Sequence, residues 1–472
     1  MRLALAFAAF LPLAVLAEAY EIGEELADEA FWKSDPVLFV KRHREAGFAF
    51  TTDQRTGADS RLDGGVTCFG LPVYESKVTF GEAGGIARVE LMLFATAGTE
   101  RMETVSRDGG AVLRRRVRVD GKMSRDEFDA ALETVRAAML KAFPRAPKPV
   151  DERTGDQAYR QQSQTWPKTE LPTRTTLTWS SRQNGKDEGT FRPGFIRLAV
   201  DGPERLAGTK RVSSPARSAA TARKIADNVV KDPRGDVFID NIPMVDQGQK
   251  GYCAVATAER VLKYYGLDVD EHEVGLAAGT SADSGTSTVA MREAVSAIGR
   301  KFRLATVVSY GDSDKGVGER IDGIVNEVRN YNKMARRMKK PVIEDDVYIR
   351  RMGPMVSYDG GAASRAMDAE VLKEMKVNGM QKSKYAKFMT DIRQQVNKGI
   401  PLYWGVTLGM YPEPGLPQAN GGHMRLIIGY NDRKKEIIYS DSWGAGHEFK
   451  RMPADWAWTI SHGLMYMKPL SH

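Results

Sequence analysis

A cysteine, a histidine and an aspartate can together break an acyl bond: the thiolate attacks, the imidazole carries the proton, and the carboxylate holds the imidazole in one tautomer. Cys253, His423 and Asp441 stand in settings suited to those roles. Cys253 closes the run Asp246-Gln247-Gly248-Gln249-Lys250-Gly251-Tyr252-Cys253, a glycine-containing loop, and Ala254-Val255-Ala256 follow it. At such a loop-to-helix junction, unpaired backbone amides and the helix dipole stabilise a thiolate and lower its pKa below the ~8.5 of a free cysteine. The Cys253 amide and the Gln247 side-chain amide are the donors expected for a developing oxyanion.

The elements that must position these groups follow from the spacing around them. Ala254, Ala258, Val261, Leu262 and Tyr265 fall on one face of a helix, and Gly266 stands where a left-handed C-terminal cap belongs. Between His423 and Asp441, two apolar runs flank a polar turn, the pattern of an antiparallel hairpin. A register centred on Asp432 sets His423 directly opposite Asp441, on the same face, with Cβ atoms roughly 5 Å apart. A one-residue slip would send the carboxylate to the other face.

Taken together, Gln247 to Ala256, Gly422-His423 and Asp441-Ser442-Trp443-Gly444 resemble the papain-like cysteine peptidase superfamily. Val261-Leu262-Lys263-Tyr264-Tyr265-Gly266, followed by Gly285-Thr286-Ser287, resembles its C39-like branch in particular. The resemblance runs from Asp236 to Lys468. It implies Cys253 as nucleophile, His423 as base, Asp441 as orienting acid, Gln247 in the oxyanion hole, and Trp443 covering the His423–Asp441 contact. It also implies a papain-like α+β fold, with a helical part bearing the Cys253 helix and an antiparallel sheet bearing His423 and Asp441. Lys250 and Ala254 depart from the papain-type signature, which has a second cysteine and an aromatic there. The Cys253 to His423 separation of 170 residues exceeds the about 130–150 of papain-like enzymes, which a helical insertion over about 311–384 explains. The implied activity is hydrolysis of a peptide or protein substrate through a thioester, without cofactor or metal. Transamidation at the same site, or a catalytically inactive binding or envelope module, are the alternatives.

Elsewhere, Arg2, the apolar run Leu3 to Ala17 and the small residues around Ala19 predict a signal peptide over 1–19, hence a periplasmic or extracellular protein. No later apolar run reaches the ~20 residues of a spanning helix, so no integral membrane partner is implied. The 472 residues suggest two folded units. Residues 20–202 predict a separate α+β domain of two helix-plus-hairpin halves. Its signals are a helix over Pro36 to Glu45, a hairpin of Val73 to Phe80 with Ala87 to Phe94, a Ser124/Glu127-capped helix ending before Pro144, and strands joined through Asn184-Gly185. Residues 203–235 read as a basic Ser/Ala-rich linker in which Lys210, Arg211, Arg217 and Arg223 invite cleavage, so the N-terminal domain is expected to be a removable pro-segment or a permanent targeting module. Residues 236–472 then form the peptidase-like domain. The net charge of +8 is spread among many carboxylates, with no aromatic-studded basic stripe, and nucleic acid is not an expected partner. Arg336-Arg337-Met338-Lys339-Lys340 reads as a solvated face. Only Cys68 and Cys253 exist, so a single disulfide is the alternative to a reactive Cys253. His447 is the one rival base; His43, His272, His462 and His472 lack comparable settings.

Overall fold

The computed structural model describes residues 19–470 apart from short stretches, the longest being 209–224 and 276–291. The signal-like residues up to 18, the four basic linker residues, Asn184-Gly185, loop residues 248–251, Gly285-Thr286-Ser287 and His472 lie outside the described residues.

The N-terminal part is built on one eight-stranded sheet. Its strands run in the order Asp151–Thr154, Tyr159–Trp166, Arg174–Gln183, Phe191–Asp201, Ile86–Ala95, Glu75–Phe80, Gly57–Ser60, Ala49–Phe50. Each half of this order is a four-strand meander, and the halves join where Phe191–Asp201 pairs antiparallel with Ile86–Ala95. The helix Arg125–Ala142 starts at a capping box of Ser124 and Glu127. Its spacing puts Phe128, Leu132, Val135 and Met139 on one face, which packs into the core shared with Leu91, Leu177 and Leu198. Two expectations shift here. The Asp35-capped helix from Pro36 stops at Arg42 rather than Glu45, and Val73 belongs to a small separate sheet with Val66–Cys68 rather than to the hairpin. Cys68 is buried in this core, and both cysteines are free thiols.

The C-terminal part is an antiparallel sheet with helices on both faces. Strands Asp236–Ile239, Gly421–Asn431, Leu402–Leu408, Ser461–Pro469 and Leu304–Tyr310 lie in that order, and Glu436–Ser440 pairs with the far side of Gly421–Asn431. The helix Cys253–Tyr264 packs on the face carrying Met424, Leu426 and Ile428. Helices Lys382–Val396 and Ala454–Ile460 cover the face carrying Leu402, Trp404, Ile427 and Tyr439. Trp458 is fully buried there, and its indole donates to the Lys376 carbonyl. Within 311–384, helices Val317–Arg337 and Ala369–Val377 share a small core around Tyr331, Val371 and Met375. This lobe docks on the main sheet through Lys376, whose Nζ donates to the carbonyls of Thr459 and Ser461.

The two parts meet beside the loop that leads to Cys253. Arg61 donates both to Glu75 Oε1 and to the Asp246 carbonyl, each at 2.7 Å, and His272 Nε2 lies 2.9 Å from Glu75 Oε2.

Candidate active site

Cys253 is the first residue of its helix, and the N-cap residue Tyr252 offers no side-chain acceptor to the first-turn amides. Those amides are therefore left for another acceptor. Burial alone would raise the Cys253 thiol pKa; His423, together with backbone hydrogen bonds from Met424 and Ala254, outweighs it and leaves the thiol lowered. The face of the helix that carries Thr257 and Arg260 is polar and buried. Arg260 donates to the Pro243 and Asp441 carbonyls and, at 2.6 Å, to Ser440 Oγ, while Thr257 reaches Ser442 Oγ at 3.3 Å and the Met424 carbonyl at 3.4 Å. These bonds staple the nucleophile's helix to both strands of the hairpin.

His423 Nε2 donates to Asp441 Oδ1 at 2.9 Å, with both side chains fully buried. The contact is not the directly opposed pair expected from the sequence. The turn occupies Asp432 to Lys435, with Asn431 opposite Glu436, and the register steps once between Ile427 and Gly429. Beyond that step Leu426 faces Ser440, so Asp441 continues opposite Arg425 and reaches His423 diagonally, two residues away. The four-residue turn alone would have set Asp441 opposite Leu426, on the Cys253-helix face. The bulge at Ile428 absorbs one residue and returns the carboxylate to the face of His423 and Arg425.

The electrostatics suit a proton-handling site. Burial would raise the Asp441 carboxyl, but Arg425, His423 and Lys450 hold it down at about 2. Burial would lower His423; its bond to Asp441 and the neighbouring Cys253 raise it instead. His423 Nδ1 is buried and makes no hydrogen bond of good geometry, so it is the nitrogen left for the thiol, close enough for each to shift the other's proton affinity.

Trp443 lies flat on the imidazole, with ring centroids 4.2 Å apart and planes at 4°. Gln247 is buried, and its backbone N–H donates to the Ser442 carbonyl at 2.7 Å, which brings its loop to the end of the Asp441 strand. Gly444 permits that approach: at φ +79° a Cβ there would lie 2.8 Å from Asp246 Oδ2. Thus Cys253, His423, Asp441, Gln247 and Trp443 gather at one corner of the sheet. His447 stands edge-on behind Trp443, its Nδ1 beside Lys450 Nζ and its backbone carbonyl accepting from the Asp441 amide. Among the described residues no cluster of His, Cys, Asp or Glu is arranged to hold a metal ion.

Four buried side chains at the corner have no role assigned from the sequence: Thr257, Arg260, Ser442 and Arg425. The helical spacing of Cys253, Thr257 and Arg260 carried a signal, because they share a stripe that should have been exposed if it were only polar surface. Arg425 carried a weaker one, as a charge inside an apolar strand run.

Residues 239–463 match the model of the Peptidase_C39 like family. Among solved structures, the peptidase domain of Streptococcus ComA, a bi-functional ABC transporter involved in a quorum sensing pathway, aligns at 12% identity over 49% of this chain and 100% of its own, with a TM-score of 0.23. Xylellain, a cysteine protease from Xylella fastidiosa, aligns at 13% identity over 53% of this chain and 90% of its own, also with a TM-score of 0.23. The comparison with curated proteins yields no match.

Proposed function

The C-terminal domain belongs to the C39-like peptidase family, and from that premise we propose that the chain is an exported cysteine peptidase working through Cys253, His423 and Asp441. The observation that carries this reading is the placement of a lowered thiol at a helix N-terminus, beside the one ring nitrogen of a buried histidine that its carboxylate leaves over. The Cys253 thiolate adds to the substrate carbonyl. His423 gives its proton to the leaving amine as the carbon–nitrogen bond breaks and a thioester forms. Water then adds to the thioester, His423 takes its proton, and the thiolate departs with the acid product. Gln247 and the Cys253 amide are the proposed donors to the oxyanion in both steps. Asp441 fixes the imidazole tautomer, and Trp443 shields that contact from water.

Export rests on the signal-peptide pattern of residues 1–19; no helix among the described residues is long and apolar enough to cross a membrane. N-terminal sequencing of the protein recovered from the producing cell checks it, with a start near Tyr20 expected and an intact Met1 telling against export.

The test of activity is the appearance of new peptide termini, by mass spectrometry, in a denatured protein mixture incubated with the mature chain or with Cys253→Ala. Cleavage by the first and none by the second is expected. Equal, absent cleavage combined with a Cys253 no more reactive to iodoacetamide than Cys68 overturns the reading. An added primary amine that ends up on the new carboxyl terminus would instead assign transamidation.

A further inference from the structure

We infer that Arg425 is a positioning residue of this site, fixing the Asp441 carboxylate and tempering its pull on the His423 proton. The inference rests on the Cys-His-Asp reading above. Arg425 is completely buried, yet it is a guanidinium inside the sheet core. Its Nε donates to Asp441 Oδ1 at 2.8 Å, the same oxygen that His423 Nε2 bonds at 2.9 Å. Its Nη1 donates to Glu413 Oε1 at 3.0 Å, and Glu413 Oε2 accepts from the Tyr439 hydroxyl. The guanidinium also lies 4.7 Å from the Tyr439 ring centroid and 5.7 Å from that of Trp404. Four groups thus hold one side chain in one orientation.

Two consequences follow from the shared oxygen. A buried carboxylate with the imidazole as its sole partner would take up a proton readily, because burial disfavours the charge; Arg425 keeps it ionised. The same cation competes for the electron density on Oδ1, so the imidazolium is held less tightly than by a lone buried carboxylate and releases its proton more readily to the leaving amine. The other charged or titratable groups facing Asp441 are Lys450, 3.6 Å from Oδ2, His447 and Tyr439, which feel its charge, and Arg260, which grips the Asp441 backbone carbonyl. Glu413 faces Arg425 from the opposite side, and Cys253 faces His423. Among the described residues, Arg425 alone shares with the imidazole the oxygen it bonds.

The test reads the imidazole directly. In a Cys253→Ala background, so that His423 titrates by itself, its ring signals are followed by NMR against pH in chains carrying Arg425, Arg425→Lys, Arg425→Met or Glu413→Gln. The midpoint for His423 is expected to rise by about one pH unit in Arg425→Met, since a buried cation beside an imidazolium disfavours its charged form and removing it relieves a shift of that order. Arg425→Lys should return it most of the way. Glu413→Gln should move it slightly downward, because Arg425 then bonds Asp441 undivided. A merely structural arginine would lower stability in every variant without opposed shifts. Identical midpoints in folded Arg425→Met and the parent overturn the inference; if Arg425→Met does not fold, an unmoved midpoint in Glu413→Gln does so. Iodoacetamide labelling of Cys253 in the unmodified chain is measured alongside. A sluggish thiol there with the opposed shifts intact would sink the peptidase reading alone, while a reactive thiol with no shifts would sink the role of Arg425 alone.

Discussion

Two buried histidines, His272 and His423, each bond a carboxylate through Nε2 at 2.9 Å. Each carboxylate also carries an arginine, Arg61 at 2.7 Å on Glu75 and Arg425 at 2.8 Å on Asp441, with a lysine further out. Burial would raise both carboxyls, and the cations around them hold both below the usual range. The partners beyond the rings differ and sit next to each other in the chain. Tyr252 presents its ring to His272, with centroids 5.9 Å apart and planes tilted by 55°, whereas Cys253 presents a lowered thiol to His423. A histidine–carboxylate pair is therefore a structural unit used twice among the described residues. At the junction of the two parts it ties Glu75 to His272; beside the helix N-terminus it meets a nucleophile. The second ring nitrogen, and what stands in front of it, separates reactivity from adhesion.

The sharpest way to break this comparison is to remove each histidine in turn. His423→Ala should cut the iodoacetamide labelling of Cys253 at pH 6.5 by on the order of 10²-fold or more, and peptide cleavage by on the order of 10³-fold, as loss of a general base does. His272→Ala should leave labelling within a few-fold of the parent while lowering the thermal midpoint. Equal losses of labelling in the two variants would erase the distinction.

A smaller effect is the acid stability that the two carboxylates share, with the labelling of Cys253 separating them. Asp441 has a folded pKa of about 2, below its unfolded value, so it contributes stability above pH 4 that fades as pH falls towards 2. The size is about 2 kcal/mol for a fully buried carboxyl. Denaturant unfolding of Asp441→Asn should show a lower but flatter stability between pH 5 and 2. Glu75→Gln should flatten the same window, since Glu75 is also held low, yet leave Cys253 labelling in place. An Asp441→Asn stability that falls as steeply with acid as the parent's would contradict the assignment.

The smallest effect concerns Trp443. A ring lying flat on the imidazole favours its cationic form by about 0.5–2 kcal/mol. Trp443→Ala should thus lower the His423 midpoint by a few tenths of a pH unit to about one. NMR titration in the Cys253→Ala background reads it directly, and no movement would reduce Trp443 to packing.

The parts of the site that were legible in the sequence are those set by local chemistry. The Cys253 helix announced itself through its apolar face and Gly266, and the hairpin through two apolar runs about a polar turn. Register was not legible, because the turn closes at Asn431 and Glu436 rather than around Asp432, and because nothing in Leu426-Ile427-Ile428-Gly429 marks which residue bulges. The role of Arg425 is not legible in the sequence either, since its partners Glu413 and Asp441 come from separate segments that only tertiary structure assembles. For the same reason His272 shows no setting of its own in the sequence, as its carboxylate lies 197 residues away. Linker and loop chemistry suggested that the N-terminal part could be removed; Arg61 on the Asp246 carbonyl shows it touching the segment that leads to the nucleophile.

The bulge at Ile428 gives this hairpin the arithmetic of a parity check. The turn contributes an odd offset and the bulge one more, and only their even sum leaves acid and base on the same side. Natural or engineered changes of hairpin length should therefore survive in compensating pairs, one at the tip and one in the strand, whereas a lone insertion or deletion would scramble the site while leaving the composition of the hairpin almost untouched.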